Sequence, residues 1–157
     1  MNTLDLSIIV PAYNEERAIS LSLINLLKSL KKSQIRFEII IINDGSTDNT
    51  AELINRFSKD NIDEKICIIK NNKNIGKSSS LHKGIKKAKG KYTTIHDADL
   101  EYNPEDLIKM YLKINQNKNP VYGSRYLEKS SKNQQKKINY LANLFNLYLF
   151  NFLFKSK

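Results

Sequence analysis

Two rhythms of apolar residues alternate along the chain. Leu6–Val10 is a short, unbroken apolar run closed by Pro11, the pattern of a buried strand. Ile19, Leu23, Leu26, Leu27 and Leu30 then recur at helical spacing, predicting a helix to about Lys32. Asn14 is placed to cap it, with Glu15 and Glu16 in its first turn. Phe37–Ile42 is a second strand, apolar on both faces, followed by an Asp44-Gly45-Ser46 turn. Asp48 is placed to cap a second helix through Leu53, Ile54 and Phe57. Lys65–Ile69 reads as a third strand and Asn71–Gly76 as a loop. Lys77–Lys89 reads as a helix with Leu81, Ile85 and Ala88 on one face and Gly90 at its end. Tyr92–His96 is a fourth strand. Asn103-Pro104-Glu105-Asp106 is a strong helix start, and the helix it opens carries Leu107, Ile108, Tyr111 and Leu112. Pro120–Gly123 reads as a short fifth strand, 128–137 as a polar loop, and Ile138–Phe154 as a dense apolar helix.

Strands alternating with helices predict an α/β domain with an open, mostly parallel, Rossmann-like sheet flanked by helices. Strands apolar on both faces fit a parallel sheet covered on both sides. Ligands in such sheets bind beyond the carboxyl ends of the strands. The segments to watch are therefore PAYNEE, NDGSTDNT, NNKNIGKSSS and DADLEYNPED, which follow strands one to four.

Composition narrows the field. The chain has 157 residues, enough for one domain with a substantial core. A single cysteine excludes a disulfide scaffold and a cysteine-rich zinc site. Cys67 lies in an apolar run, the setting of a buried, inert thiol. The N-terminus enters a strand at once, with no signal-peptide pattern, and no run approaches the roughly 18 apolar residues of a spanning helix. The formal net charge of +10 comes from 22 Lys against only 4 Arg, alongside 20 Ile and 19 Asn, a skew typical of AT-rich coding. The excess is local: residues 70–91 hold 8 Lys and no acid. Such a patch suits phosphates, anionic lipid or nucleic acid, or is simply a solvated face.

Asp97-Ala98-Asp99 carries the most chemistry. Two carboxylates one residue apart follow an apolar strand, and at strand spacing both point the same way. Two oxygen ligands with open positions beside them suit Mg²⁺, which takes one or two carboxylates and completes its shell with substrate phosphate. The alternative is a turn whose acids serve the Asn103 helix start. Asp44 ends the second strand, where it can accept hydrogen bonds from a base or ribose, and Gly45 permits a tight turn. In Pro11-Ala12-Tyr13-Asn14-Glu15, Tyr13 can stack on a base and Glu15 can accept from one, or the acids only cap. Gly76 lets backbone approach a ligand, and Lys77 can neutralise phosphate. Arg125 in YGSRY can grip phosphate with two bonds. Neither a P-loop nor a G-x-G-x-x-G is present. His82 and His96 form no hydrolase triad with a suitably spaced acid and serine.

In this order, SIIVPAYNEE, IIIINDGSTDNT, NIGKSSSLHKGIKKAKGKY, IHDADLEYNPEDL and VYGSRY resemble the family 2 glycosyltransferases of GT-A fold over residues 5–127. The YGSRY stretch is similar to that of the dolichyl- or polyprenyl-phosphate sugar synthases. The resemblance implies an enzyme that binds a UDP- or GDP-linked sugar, with Mg²⁺ or Mn²⁺ bridging the diphosphate to Asp97 and Asp99. It implies that Pro11, Ala12, Tyr13, Glu15, Asp44 and Gly45 surround the nucleotide. Lys77 and Ala98 join them at the diphosphate, and Arg125 faces phosphate. Asn43 stands where the family often has Asp. The implied acceptor is a lipid phosphate, and the implied setting is cytoplasmic, peripheral at the inner face of a membrane.

The expected division is a nucleotide-sugar-binding domain over 1–127 and an incomplete acceptor or membrane-interface part over 128–157. Against the family's pattern the sequence stops early, at Phe154-Lys155-Ser156-Lys157, which reads as a truncated or split member. A second expectation follows: a non-catalytic donor-binding fragment that needs a partner chain or oligomer. A nucleic-acid-binding module built on the lysine segment is the third, but the chain lacks an aromatic RNA-binding motif, so no nucleic-acid partner is expected.

Overall fold

β1 (Leu6–Ala12) and β2 (Phe37–Asn43) are built almost entirely of β-branched and other apolar residues, and they form the centre of the sheet. The computed structural model describes residues 3–100, 102–117 and 121. β3 (Ile66–Lys70) pairs with β2, and β4 (Tyr92–Ile95) pairs with β1. Among the described residues the order is β3-β2-β1-β4 and every pairing is parallel. Ile8, Ile9, Ile39, Ile40, Ile41 and Ile42 have no exposed surface. Each such side chain contributes about 1.5–3 kcal/mol by leaving water.

The handedness of the crossovers assigns the helices to faces. α1 (Ile19–Lys32) and α2 (Thr50–Asp60) connect strands laid down in one direction and cover one face. α3 (Lys77–Lys87) carries the chain back past β2 and β1 to β4. A right-handed crossover in the reverse direction must use the opposite face, and α3 packs there on Ile9, Ile40 and Ile42 through Leu81, with Ala88 just past its end. Gly84 makes this close approach possible, because a Cβ there would stand 2.7 Å from Ile9 Cγ2 and 2.8 Å from Ile42 Cδ1. α4 (Pro104–Asn117) returns to the first face with Leu107, Ile108 and Tyr111.

Four local expectations change. α1 starts at Ile19 with Ala18 at its cap position and no acid in its first turn, so Asn14, Glu15 and Glu16 do not cap it. Asn14 instead has φ 54°, a left-handed turn conformation that asparagine tolerates. α3 ends at Lys87 rather than at Gly90, and Ile85 is 52% exposed rather than in the core. The buried face of α3 runs through Ser80 and Gly84, where small residues fit against the sheet. β4 stops at Ile95, one residue before His96. Cys67 is half-buried and packs against Ile9, Ile40 and Ile42. The fifth strand, the polar loop, the C-terminal helix and Arg125 lie outside the described residues, apart from Val121, which is not in a strand.

A buried polar knot ties the α3–β4 connection to the lower edge of the sheet. Ser7 and Glu38 are register partners on β1 and β2. The Ser7 hydroxyl donates to Glu38 Oε1 at 2.6 Å, and Lys89 N–H donates to the same oxygen at 2.6 Å. Gly90 N–H donates to Ser7 Oγ at 2.8 Å. Ser7→Ala removes one donor to the carboxylate and strands the Gly90 amide. It is expected to cost about 1–3 kcal/mol, read as a lower midpoint in urea at unchanged slope.

Candidate functional site

The chain steps outward from β1 to β2 and β3, then returns to place β4 on the other side of β1. The crevice above β1 and β4 is thus the topological switch point, where open α/β sheets bind ligands. A cleft of about 260 Å³ opens there. Ten of the residues singled out from sequence line it: Pro11, Ala12, Tyr13, Glu15, Asp44, Gly76, Lys77, Asp97, Ala98 and Asp99. Asn74 and Ser80 complete the wall. Ser80 is a residue that sequence reasoning missed, although its place one turn after Lys77 on α3 was a usable signal. Gly45 lies behind the wall and supports it. A larger, more open hollow of about 420 Å³ lies between α1 and α2, lined by apolar and lysine side chains without an acid. Its chemistry offers nothing to a reaction, and the strand-end cleft is the site.

Hydrogen bonds between loops make the cleft rigid. Asn14 Oδ1 accepts from Thr47 N–H at 2.9 Å, Ser46 Oγ accepts from Asn14 N–H at 3.1 Å, and Thr50 Oγ1 accepts from Glu15 N–H at 2.8 Å. Asp48 Oδ2 accepts from Glu16 N–H at 3.2 Å and its Oδ1 from Thr50 N–H at 3.0 Å, so it steadies the start of α2 and the first loop together. Asn43 Oδ1 closes its own turn by accepting from Ser46 N–H at 2.9 Å.

Asp44 is 3% exposed. Its Oδ1 accepts from Asn71 Nδ2 at 2.8 Å and from Ile75 N–H at 3.0 Å, clamping the β3–α3 loop. Burial opposes the charge of Asp44, but hydrogen bonds from Ile75, Asn71, Ser80 and Gly76 outweigh it and hold the carboxyl below its usual range.

Asp97, Ala98 and Asp99 lie just past β4, in a bend rather than at strand spacing. All three line the cleft, because the bend turns the backbone itself along the wall. Asp97 Oδ1 is buried and sits 2.6 Å from Lys77 Nζ, yet it receives no aligned hydrogen bond. Burial first, then the negative charges of Asp99, Asp48 and Asp97, push the Glu15 carboxyl above its usual range. The cleft therefore has an acidic corner with an under-bonded carboxylate oxygen. Behind it, His96 is buried, with Nε2 3.3 Å from Ser22 Oγ, and burial lowers its pKa despite Asp97 and Asp99, leaving it neutral at pH 7.

These shifts have opposite signs in stability. The depressed carboxyl of Asp44 stabilises the fold above its unfolded value near 3.8, and that contribution is lost as pH falls through the folded value. Glu15, with its raised pKa, burdens the fold at neutral pH and is relieved in acid. Glu15→Gln is expected to raise Tm slightly at pH 7. The gain should vanish as pH drops to the unfolded Glu value of 4.5, as thermal unfolding across pH will check.

Comparison with known proteins decides the family. The description Glycosyl transferase family 2 matches residues 7–156. The chain belongs to that family. This family 2 glycosyltransferase is 34% identical over 101 residues to an undecaprenyl-phosphate 4-deoxy-4-formamido-L-arabinose transferase of Proteus mirabilis, covering 64% of the chain and 31% of that protein. It is 38% identical over 99 residues to a dolichyl-phosphate beta-glucosyltransferase of Dictyostelium discoideum, covering 60% and 30%. Among solved structures it resembles the mannosyltransferase PcManGT of Pyrobaculum calidifontis, in complex with GDP-Man and Mn²⁺, at 25% identity and a TM-score of 0.56, covering 63% and 28%. The family 2 glycosyltransferase described here thus has the GT-A architecture expected from its motifs. It spans about a third of the length of these curated relatives. Among the described residues no helix is long and apolar enough to cross a membrane.

Proposed function

We propose that the cleft binds a UDP- or GDP-linked sugar and that the whole protein transfers the sugar to a polyprenyl phosphate at a membrane surface. The observation that carries this reading is the gathering of Tyr13, Glu15, Asp44, Lys77, Asp97 and Asp99 around one cleft at the switch point. Tyr13, 43% exposed, offers a flat face to the base. Glu15 accepts from the base edge, and Asp44, already hydrogen-bonded to the β3–α3 loop, sets the wall against which the nucleoside rests. Lys77 meets the diphosphate, and the family resemblance gives Arg125, outside the described residues, a phosphate as its partner.

The donor set also fits a hard divalent cation. Two carboxylates meet Mg²⁺ or Mn²⁺ only part-way, leaving positions for diphosphate oxygens, and the under-bonded Asp97 Oδ1 has a lone pair to give. No cluster of three or more acidic, histidine or cysteine groups suited to a metal occurs among the described residues. When bound, the cation would neutralise charge gathering on the departing diphosphate. In the proposed transfer, a phosphate oxygen of the acceptor bonds to the anomeric carbon while that carbon's bond to the diphosphate breaks, with inversion. The acceptor phosphate is already ionised, so Glu15 and His96 need not act as a base.

The test is titration of the protein with UDP- and GDP-sugars, with and without Mg²⁺ or Mn²⁺, followed by transfer to a short-chain polyprenyl phosphate. Metal-dependent binding is the expected result, and absence of binding to every nucleotide sugar would sink the proposal. Binding without transfer would favour the reading in which this chain is a donor-binding part that needs a partner.

A further inference from the structure

Lys77 and Asp97 stand in an arrangement that the proposed donor complex cannot keep. Lys77 Nζ lies 2.6 Å from Asp97 Oδ1, a buried oxygen whose partner is this ion pair. A divalent ion seated on Asp97 would need that carboxylate at about 2.0–2.1 Å. An ammonium and a dication sharing one carboxylate would repel at close range in a partly buried cleft.

The lysine is built to leave. It is the first residue of α3, its side chain is 59% exposed, and it follows Gly76 at φ +88°. A Cβ at Gly76 would meet nothing within 4 Å, so the chain has open space at this joint. The segment just before it is fixed, because Ile75 N–H is held by Asp44. The side chain of Lys77 can therefore swing while its backbone stays in place.

We propose that Lys77 is a resident counter-ion: it occupies Asp97 in the empty cleft and transfers to the donor diphosphate when nucleotide sugar and cation enter together. This rests on the reading of Asp97 and Asp99 as the cation seat. The cation alone must displace a positive charge, whereas the cation with its diphosphate brings that charge a new partner. Lysine and cation thus compete without nucleotide and cooperate with it. The device lets the free protein keep Asp97 paired and selects for the cation–nucleotide complex over the free ion.

The experiment measures Mn²⁺ binding to the whole chain by loss of the free-ion EPR signal, for wild type and Lys77→Met, first alone and then with UDP or GDP at saturation. A nearby positive charge commonly changes the affinity of a carboxylate for a proton by tenfold or more, and a competing cation meets the same field. Lys77→Met is therefore expected to bind Mn²⁺ alone about tenfold more tightly than wild type. With nucleoside diphosphate present the advantage should disappear or reverse, and nucleotide affinity should fall. Lys77→Arg should restore the wild-type order. Equal Mn²⁺ affinity of wild type and Lys77→Met without nucleotide would overturn the counter-ion role while leaving the cation seat intact. Failure of both proteins to bind Mn²⁺, with or without nucleotide, would overturn the seat itself and this inference with it.

Discussion

Asp97→Asn/Asp99→Asn is expected to weaken nucleotide-sugar binding in Mg²⁺ or Mn²⁺ by a hundredfold or more, and to leave any remaining binding indifferent to a chelator. Both carboxylates line the cleft, and Asp97 Oδ1 is engaged in an ion pair with Lys77 that a neutral amide cannot reproduce. The substitution keeps size and shape but removes both negative charges from the acidic corner. Losing one well-placed electrostatic contact commonly costs about 10²–10³ in rate. Losing the group that would hold the cation should do no less to transfer. Stability should change little, because Glu15 is relieved of two of the charges that disfavour its ionised form. Calorimetric titration with and without chelator, beside thermal unfolding of the same samples, separates the two effects. Unchanged metal dependence in a folded double variant would rule out this pair as the cation seat.

The second large effect is predicted at Gly45. Its φ is +68°, and a Cβ there would stand 2.4 Å from the carbonyl carbon of Lys73 and 2.6 Å from the nitrogen of Asn74. Those are backbone atoms and cannot rotate aside. Gly45→Ala is expected to cost about 3 kcal/mol, from left-handed strain of ~1–2 kcal/mol together with displaced backbone. For a domain of this size that is a fall in Tm of roughly 6–12 °C. Gly76→Ala is the control: its φ is +88° but its Cβ would meet nothing, so only the conformational part should appear. Gly45→Ala should also weaken nucleotide binding in the surviving folded protein, because the 73–75 segment it pushes leads directly to Gly76 and Lys77.

How legible this molecule was depends on the range of the forces involved. The β1, β2 and α1 segments are visible because Leu6–Val10, Phe37–Ile42 and the Ile19–Leu30 series obey simple periods. The parallel sheet followed from strands apolar on both faces. The cleft was legible because strand ends converge wherever the sheet is open; Tyr13, Glu15, Asp44, Gly76, Lys77, Asp97 and Asp99 were found that way, and Pro11, Ala12 and Ala98 through the family resemblance. What escaped depended on partners distant in sequence. Asn14 reads locally as a cap, but Thr47 and Ser46 claim it. Ile85 reads as core by spacing, yet α3 meets the sheet through Ser80 and Gly84. Glu38 inside an apolar strand reads as an anomaly until Ser7 and Lys89 are seen to satisfy it. The Asp97–Asp99 pair was found by a strand-spacing argument that does not hold, since β4 ends at Ile95. The two acids meet the cleft through a bend instead.

The parallel pairing of Leu6 with Tyr92 has a consequence for biogenesis. Among the described strands one wall of the crevice belongs to β1 and the other to β4, so the pocket cannot close until the chain through Asp99 has been made. Until then β1 has only one neighbour, and its other edge, lined by fully apolar side chains, is open to pairing with a foreign strand. Nascent chains halted before Tyr92 should therefore be the species that chaperones must shield.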